Sequence, residues 1–196
     1  FLADFIMNTK PVRKSTLGLE LDLAFEGASK ALLNEPMDAS TRLRLTSEMP
    51  WQRDIICWIN ATRTNKNLCC QKIVRSASAL SLGLRLTDDA TITKLNARWR
   101  KKEEPTDVIS FPALDEKIIC PENKFIELGD IIVSVTRARQ QAKEHNHALI
   151  KELRWLVSHG LLHLLGWEHP NQESLNEMLS FQEQLITIDS IVPHND

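Results

Sequence analysis

Leu19, Leu21, Leu23 and Phe25 alternate with Glu20, Asp22 and Ala24, a period of two that predicts a strand with one buried face. From residue 27 to 47 the pattern weakens; Pro36 reads as a breaker and residues 38–41 as a loop. Pro50 suits the opening of a helix that reaches about residue 63, with Ile55, Ile56 and Ile59 on its inner side. Residues 64–81 fit no single period. A strand is predicted over 82–87, after which Asp88 and Asp89 cap a helix carrying Ile92, Leu95 and Trp99. Residues 101–104 form a charged loop, and Pro105 imposes an extended approach to a strand at 107–111. The clearest strand covers 129–135, and helices follow over about 136–145, 148–165 and 172–187. The expectation is therefore an α/β (α+β) domain: a small mixed sheet of about four strands packed with five to six helices. Residues 1–16 carry no period and read as a loose N-terminal arm, leaving 17–190 as one domain.

The strongest chemical signal lies at the end of the long helix predicted over 148–165. His159 and His163 are four residues apart, which on a helix is about 40° of rotation and ~6 Å of rise. Both rings can therefore meet one ion. Gly166 stands where that helix would end, because glycine adopts the left-handed conformation at little cost. The chain can then double back and deliver His169 as a third ligand. Three neutral imidazoles leave the fourth tetrahedral position of a zinc ion open, the mark of a catalytic rather than a structural site. One Zn2+ per chain is the expected cofactor.

Offsets of 0, 4 and 10, with glycine at 7, match the metzincin protease signature H-E-x-x-H-x-x-G-x-x-H at every position but one. There the residue after the first histidine is a glutamate that activates water; here it is Gly160, which has no side chain. Glu152 lies on the same face but about two turns away, ~10 Å along the axis, too far to replace it. Glu168, beside a ligand, reads as an acceptor that orients an imidazole. A metalloprotease or other amide hydrolase remains an alternative, but it lacks its central group. A non-enzymatic protein with a structural metal is another, and it needs a fourth protein ligand that no obvious spacing supplies.

Charge and composition restrict the partners. Lys and Arg number 24 against 26 Asp and Glu, a formal charge of −2, which excludes a protein held to nucleic acid by bulk positive charge. A local basic patch still attracts phosphate at short range. Cys57, Cys69, Cys70 and Cys120 contain no C-x-x-C pair and read as idle thiols of a reducing cytoplasm. No apolar run approaches the ~18 residues that cross a bilayer, so no membrane partner is expected. The opening residues 1–7 are too short and too acidic for a secretory signal, and the expected location is cytoplasmic.

The stretch His159-Gly-Leu-Leu-His163-Leu-Leu-Gly166-Trp-Glu-His169 resembles the H-G-x-L-H-L-x-G-Y-D-H motif of the YbeY family, with Trp167 for tyrosine and Glu168 for aspartate. Leu95-Asn-Ala-Arg-Trp-Arg100 and Pro105-Thr-Asp-Val-Ile-Ser-Phe-Pro112 are similar to two further family stretches, and Leu128-Gly-Asp-Ile131 to another. They occur in the family's order over roughly residues 83–170; 27–47 then reads as a candidate insertion in a YbeY-like catalytic domain. The resemblance implies a zincin-like fold of the bacterial, cyanobacterial or plastid type. It implies a single-strand-specific endoribonuclease that matures the 3′ end of small-subunit rRNA and serves ribosome quality control. Its implied partners are ribosomal RNA, ribosomal proteins and a ribosome-assembly GTPase, and under it the structural-metal alternative becomes a non-enzymatic ribosome-assembly factor.

By position, Arg100 matches the family's functional arginine, and a guanidinium can clamp the charge that a phosphodiester gains on hydrolysis. Arg98, Lys101 and Lys102 complete a short basic cluster, in which the two lysines read as a solvated helix end. Arg137 and Arg139 are weaker candidates for phosphate contacts. His145 and His147 read as surface histidines, and Asp107 as a turn-capping carboxylate.

Overall fold

The computed structural model describes residues 17–65, 72–114 and 125–188. The predicted arm 1–16, three of the cysteines (Cys69, Cys70 and Cys120) and the last two residues of the expected domain lie outside the described residues. Strand β1 (Gly18–Phe25) leads through a 3-10 helix (Gly27–Asn34) to helices α1 (Ala39–Thr46), α2 (Glu48–Thr64) and α3 (Lys72–Ser76). Strand β2 (Ala79–Thr87), helix α4 (Asp89–Arg100) and strands β3 (Val108–Pro112) and β4 (Phe125–Ser134) follow. The chain continues with α5 (Val135–Glu144), α6 (Leu149–Leu164) and α7 (Gln172–Thr187).

The sheet order is β1-β2-β4-β3. β1, β2 and β4 run parallel, and β3 pairs antiparallel with β4 from Val108↔Val133 to Pro112↔Gly129. In β2 the alternation is complete: Leu80, Leu82, Leu84 and Leu86 are buried against the helices, while Arg85 points out to solvent. β4 is divided between two cores. Ile131 and Val133 join the main core, with Trp51, Ile55, Trp58 and Ile59 of α2 and Leu153, Val157 and Leu161 of α6. Ile132 faces the other way, into a small cluster with Ile92 of α4 and Ile109 of β3. α4 thus covers the β3–β4 edge from behind, and its C-terminal end arrives at the rim of the front face.

The mixed sheet of four strands agrees with the sequence reading, while the number of helices exceeds it. Among the described residues there are seven α-helices, the additional ones short and lying in the weakly patterned segments. Residues 38–41 are not a loop: the Asp38 carboxylate accepts a hydrogen bond from the Thr41 N–H at 2.8 Å and starts α1. The side chain that suggests a turn also satisfies the free N–H groups of a helix start, and fully buried Leu45 then anchors that helix. α2 starts at Glu48, so Pro50 lies within its first turn, where its missing N–H costs nothing. β2 and β4 begin earlier than predicted, at Ala79 and Phe125.

A buried charge network joins three of the helices. Asp54 of α2, 2% exposed, meets Arg44 of α1 at 2.5 Å and Arg154 of α6 at 2.9 Å. The two guanidiniums lie over the rings of Trp51 and Trp58. This network fixes the lateral position of α6, the helix that carries the histidines.

Candidate metal centre and cleft

α6 ends as the sequence predicts. Gly166 has φ +88°, its N–H donates to the His163 carbonyl, and the Trp167 N–H donates to the Leu162 carbonyl, both at 2.9 Å. These two bonds form a Schellman closure, which reverses the chain and brings His169 back over α6. The ligand atoms of His159, His163 and His169 lie within 4.8 Å of one another. Burial, and then the neighbouring imidazoles of His159 and His169, push His163 down to about 4. Burial also lowers His159. At neutral pH these two rings are therefore uncharged lone-pair donors, the form a metal ion requires, and the donor set fits zinc.

Gln182 of α7 sets the orientation of His159. Its amide nitrogen donates to the Trp155 carbonyl at 2.7 Å, so its Oε1 is the acceptor facing His159 Nδ1 at 3.1 Å. His159 Nδ1 must then carry the proton, which leaves Nε2 free for an ion. Gln182 is completely buried. Sequence reasoning gave the orienting role to Glu168, but that side chain is exposed, lines the cleft and makes no hydrogen bond among the described residues. Gln182 had no signal in the sequence, because an amide 23 residues from its histidine belongs to no spacing pattern.

Gly160 is buried where α6 touches the sheet. A Cβ there would lie 2.8 Å from Ile131 Cγ2 and 2.9 Å from Ser110 Oγ, and Ser110 already donates to the Gly160 carbonyl at 3.1 Å. The position that holds the general base in metzincins therefore faces the sheet closely and has no room for a side chain.

The trio opens into a cleft of about 480 Å³, whose other walls include Arg100, Thr106, Asp107, Ser110, Trp155 and Glu168. Arg100 is the last residue of α4, which Lys101 closes in the left-handed conformation at φ 60°. It is exposed, makes no ion pair or hydrogen bond among the described residues, and lies near enough to help depress His163. Lys101 donates to the Arg98 carbonyl at 3.3 Å, as expected of a helix-end cation. Asp107 is occupied: one oxygen accepts from Thr106 Oγ1 and the Val108 N–H, the other from Gln141. Arg137 and Arg139 do not reach the cleft, being paired with Asp89 and Glu35. Beside Arg100, Trp99 is 59% exposed, edge-on to Phe111 and under the Arg98 guanidinium.

Comparison with known proteins agrees with this architecture. The family model described as endoribonuclease YbeY matches residues 51–188. The endoribonuclease YbeY of Prochlorococcus marinus strain MIT 9313 is 54% identical over 184 residues, covering 94% of this chain and 98% of that protein. Its namesake from Synechococcus sp. strain CC9311 is 47% identical, covering 89% and 98%. A family model over most of the chain and near-full-length relatives at this identity leave one assignment: the chain belongs to the endoribonuclease YbeY family.

Proposed function

We propose that this protein is a zinc-dependent endoribonuclease that hydrolyses phosphodiester bonds in single-stranded RNA, with His159, His163 and His169 as the metal ligands and Arg100 as the phosphate-binding catalytic residue. The observation that carries the reading is the pairing, across one cleft, of three converging imidazoles with an arginine that has no partner among the described residues. When bound, zinc supplies Lewis acidity and a water activated near neutral pH. The remaining functions fall to the chain. Gln182 fixes the tautomer of His159, and Arg100 offers a planar pair of donors to a phosphate whose charge grows as the bond breaks. Exposed Trp99 offers a face on which a base of the strand can stack.

Gly160 counts against a peptidase, since the contact with Ile131 and Ser110 excludes the glutamate that such a mechanism needs. The assembly-factor reading requires a fourth protein ligand; among the described residues no further His, Cys, Asp or Glu joins the trio within 4.8 Å. The family resemblance supports precursor small-subunit rRNA as the substrate, with ribosomal proteins and an assembly GTPase as partners, in the cytoplasm. No helix among the described residues is long and apolar enough to cross a membrane.

The test combines metal content with cleavage of precursor and generic RNA. His163→Ala should lose both metal and cutting, whereas Arg100→Glu should keep the metal and lose cutting. RNA cleavage that survives both substitutions would sink the nuclease assignment.

A further inference from the structure

His145 and His147, read from the sequence as ordinary surface histidines, converge on a buried carboxylate. Glu152, in the first turn of α6, is only 4% exposed. One of its oxygens contacts Nε2 of His147 and lies 3.5 Å from Nδ1 of His145. Neither a lysine nor an arginine pairs with it among the described residues. Burying a carboxylate this deeply is costly without a positive charge beside it. An imidazole supplies that charge only when protonated, and two protonated imidazoles would repel each other across a ring separation of 5.5 Å.

The backbone builds this arrangement as it builds the first site. α5 closes with Asn146 left-handed at φ 52°. The Asn146 N–H donates to the Lys143 carbonyl at 3.2 Å, and the His147 N–H to the Ala142 carbonyl at 2.9 Å. This is again a Schellman closure, here placing histidines on both sides of the reversal at the start of α6. The ligand atoms of His145, His147 and Glu152 all lie within 4.8 Å of one another, the same limit that the His159 trio meets. Exposure rises from Glu152 at 4% through His147 at 21% to His145 at 60%, so the carboxylate forms the floor of a site open to solvent. A cavity of about 380 Å³ adjoins it, lined also by Lys151 of α6 and Glu183 of α7.

We propose that His145, His147 and Glu152 form a second binding site for a divalent transition-metal ion, of the kind that combines imidazole and carboxylate ligands, as zinc does. An ion there neutralises Glu152 without charging either imidazole and pins the α5–α6 corner. Glu152 and His159 stand seven positions apart on α6, about 10 Å along the axis. Paired hydrolytic metals stand only ~3.5–4 Å apart, so the two ions do not share one phosphate. This site is independent of the assignment of the first.

The test is the zinc and cobalt(II) stoichiometry of the folded full chain after equilibrium dialysis. The expected result is two ions per chain for the unaltered protein, one for His145→Ala, one for His163→Ala and none for the double variant. His145 is exposed, so its removal spares the core; Glu152→Gln, which keeps a hydrogen-bonding amide against His147, should also lose one ion. The cobalt spectrum should lack thiolate charge transfer, which separates this site from ions scavenged by the cysteines. The proposal is overturned if the unaltered protein saturates at one ion, if His145→Ala leaves the stoichiometry unchanged, or if the second ion proves to be thiolate-bound.

Discussion

Replacing Gly160 with alanine is ordinarily a stabilising change in the middle of a helix, worth about 1 kcal/mol in propensity. Here the sign should reverse. The new Cβ would approach Ile131 Cγ2 to 2.8 Å and Ser110 Oγ to 2.9 Å, and neither has free space: Ile131 is fully buried and Ser110 is held on the Gly160 carbonyl. Forcing a methyl into a packed contact costs about 1–3 kcal/mol. The net effect is a loss of up to about 2 kcal/mol, or roughly 2–4 °C of melting temperature per kcal/mol for a domain of this size. The function should suffer more than the stability. α6 relieves the overlap by moving away from β3 and β4, and His159 sits on the adjacent residue, so the imidazole leaves its hydrogen bond with Gln182. Gly160→Glu adds a carboxylate to the same overlap and should unfold the protein or strip its metal without creating peptidase activity. Thermal unfolding, zinc occupancy and parallel RNA and casein assays measure these outcomes. If Gly160→Ala gained the full propensity benefit and cut RNA normally, the contact with the sheet would not be the constraint. If Gly160→Glu became a peptidase, the nuclease reading of the whole site would fail with it.

Three further substitutions probe other links. Gln182→Leu keeps the volume but removes the acceptor on His159 Nδ1, and should weaken zinc binding about 10- to 100-fold in a chelator competition while the chain stays folded; unchanged affinity would refute the orienting role. Asp54→Ala leaves the guanidiniums of Arg44 and Arg154 without their shared carboxylate, so chemical denaturation should show a loss of about 3–5 kcal/mol; a loss below 1 kcal/mol would mean that the network contributes nothing. Trp99→Ala should weaken the binding of single-stranded RNA by about 1–3 kcal/mol, the contribution of one stacked base, while zinc content holds. Equal binding by Trp99→Ala would remove the stacking face from the proposed strand path.

What could be read from the sequence follows the range of the interactions. His159, His163, Gly166 and His169 lie within one helix and its closure, so helical geometry alone relates them, and the structure brings the three rings together. The strand at 82–87 was legible because its leucines alternate onto one core, and that at 129–135 because its apolar run, Ile131 to Val133, is buried on both faces of the sheet. Features that depend on distant partners were not. Gln182 acts on His159 from another helix, and Glu152 was judged only by its distance from the trio, although the closure of α5 determines its surroundings. Arg137 and Arg139 were weaker candidates for phosphate contacts because they follow the clearest strand, yet Asp89 and Glu35 reach them across the fold. Asp38 shows the converse limit, since an aspartate before a polar run predicts a turn and a helix start equally well.

Pairing of the arginines also explains how a chain with a formal charge of −2 can present a cation to RNA. Arg44 and Arg154 are committed to Asp54, Arg85 to Glu26, Arg137 to Asp89 and Arg139 to Glu35. Arg63 donates to the backbone carbonyls of Arg75 and Ala77. Each paired charge presents little field beyond its partner, whereas Arg100 stands in the wall of the cleft with no such partner among the described residues. Within a Debye length of about 8–10 Å a phosphate in that cleft meets Arg100 and the metal site rather than the acidic average of the surface. Local charge would then position the strand, while the acidic remainder keeps other nucleic acid weakly bound. Salt dependence offers the corresponding measurement: a shallow slope of RNA affinity against salt, reduced by about one phosphate contact in Arg100→Glu, would match a phosphate held by Arg100, whereas a steep slope unaffected by that substitution would place the RNA elsewhere.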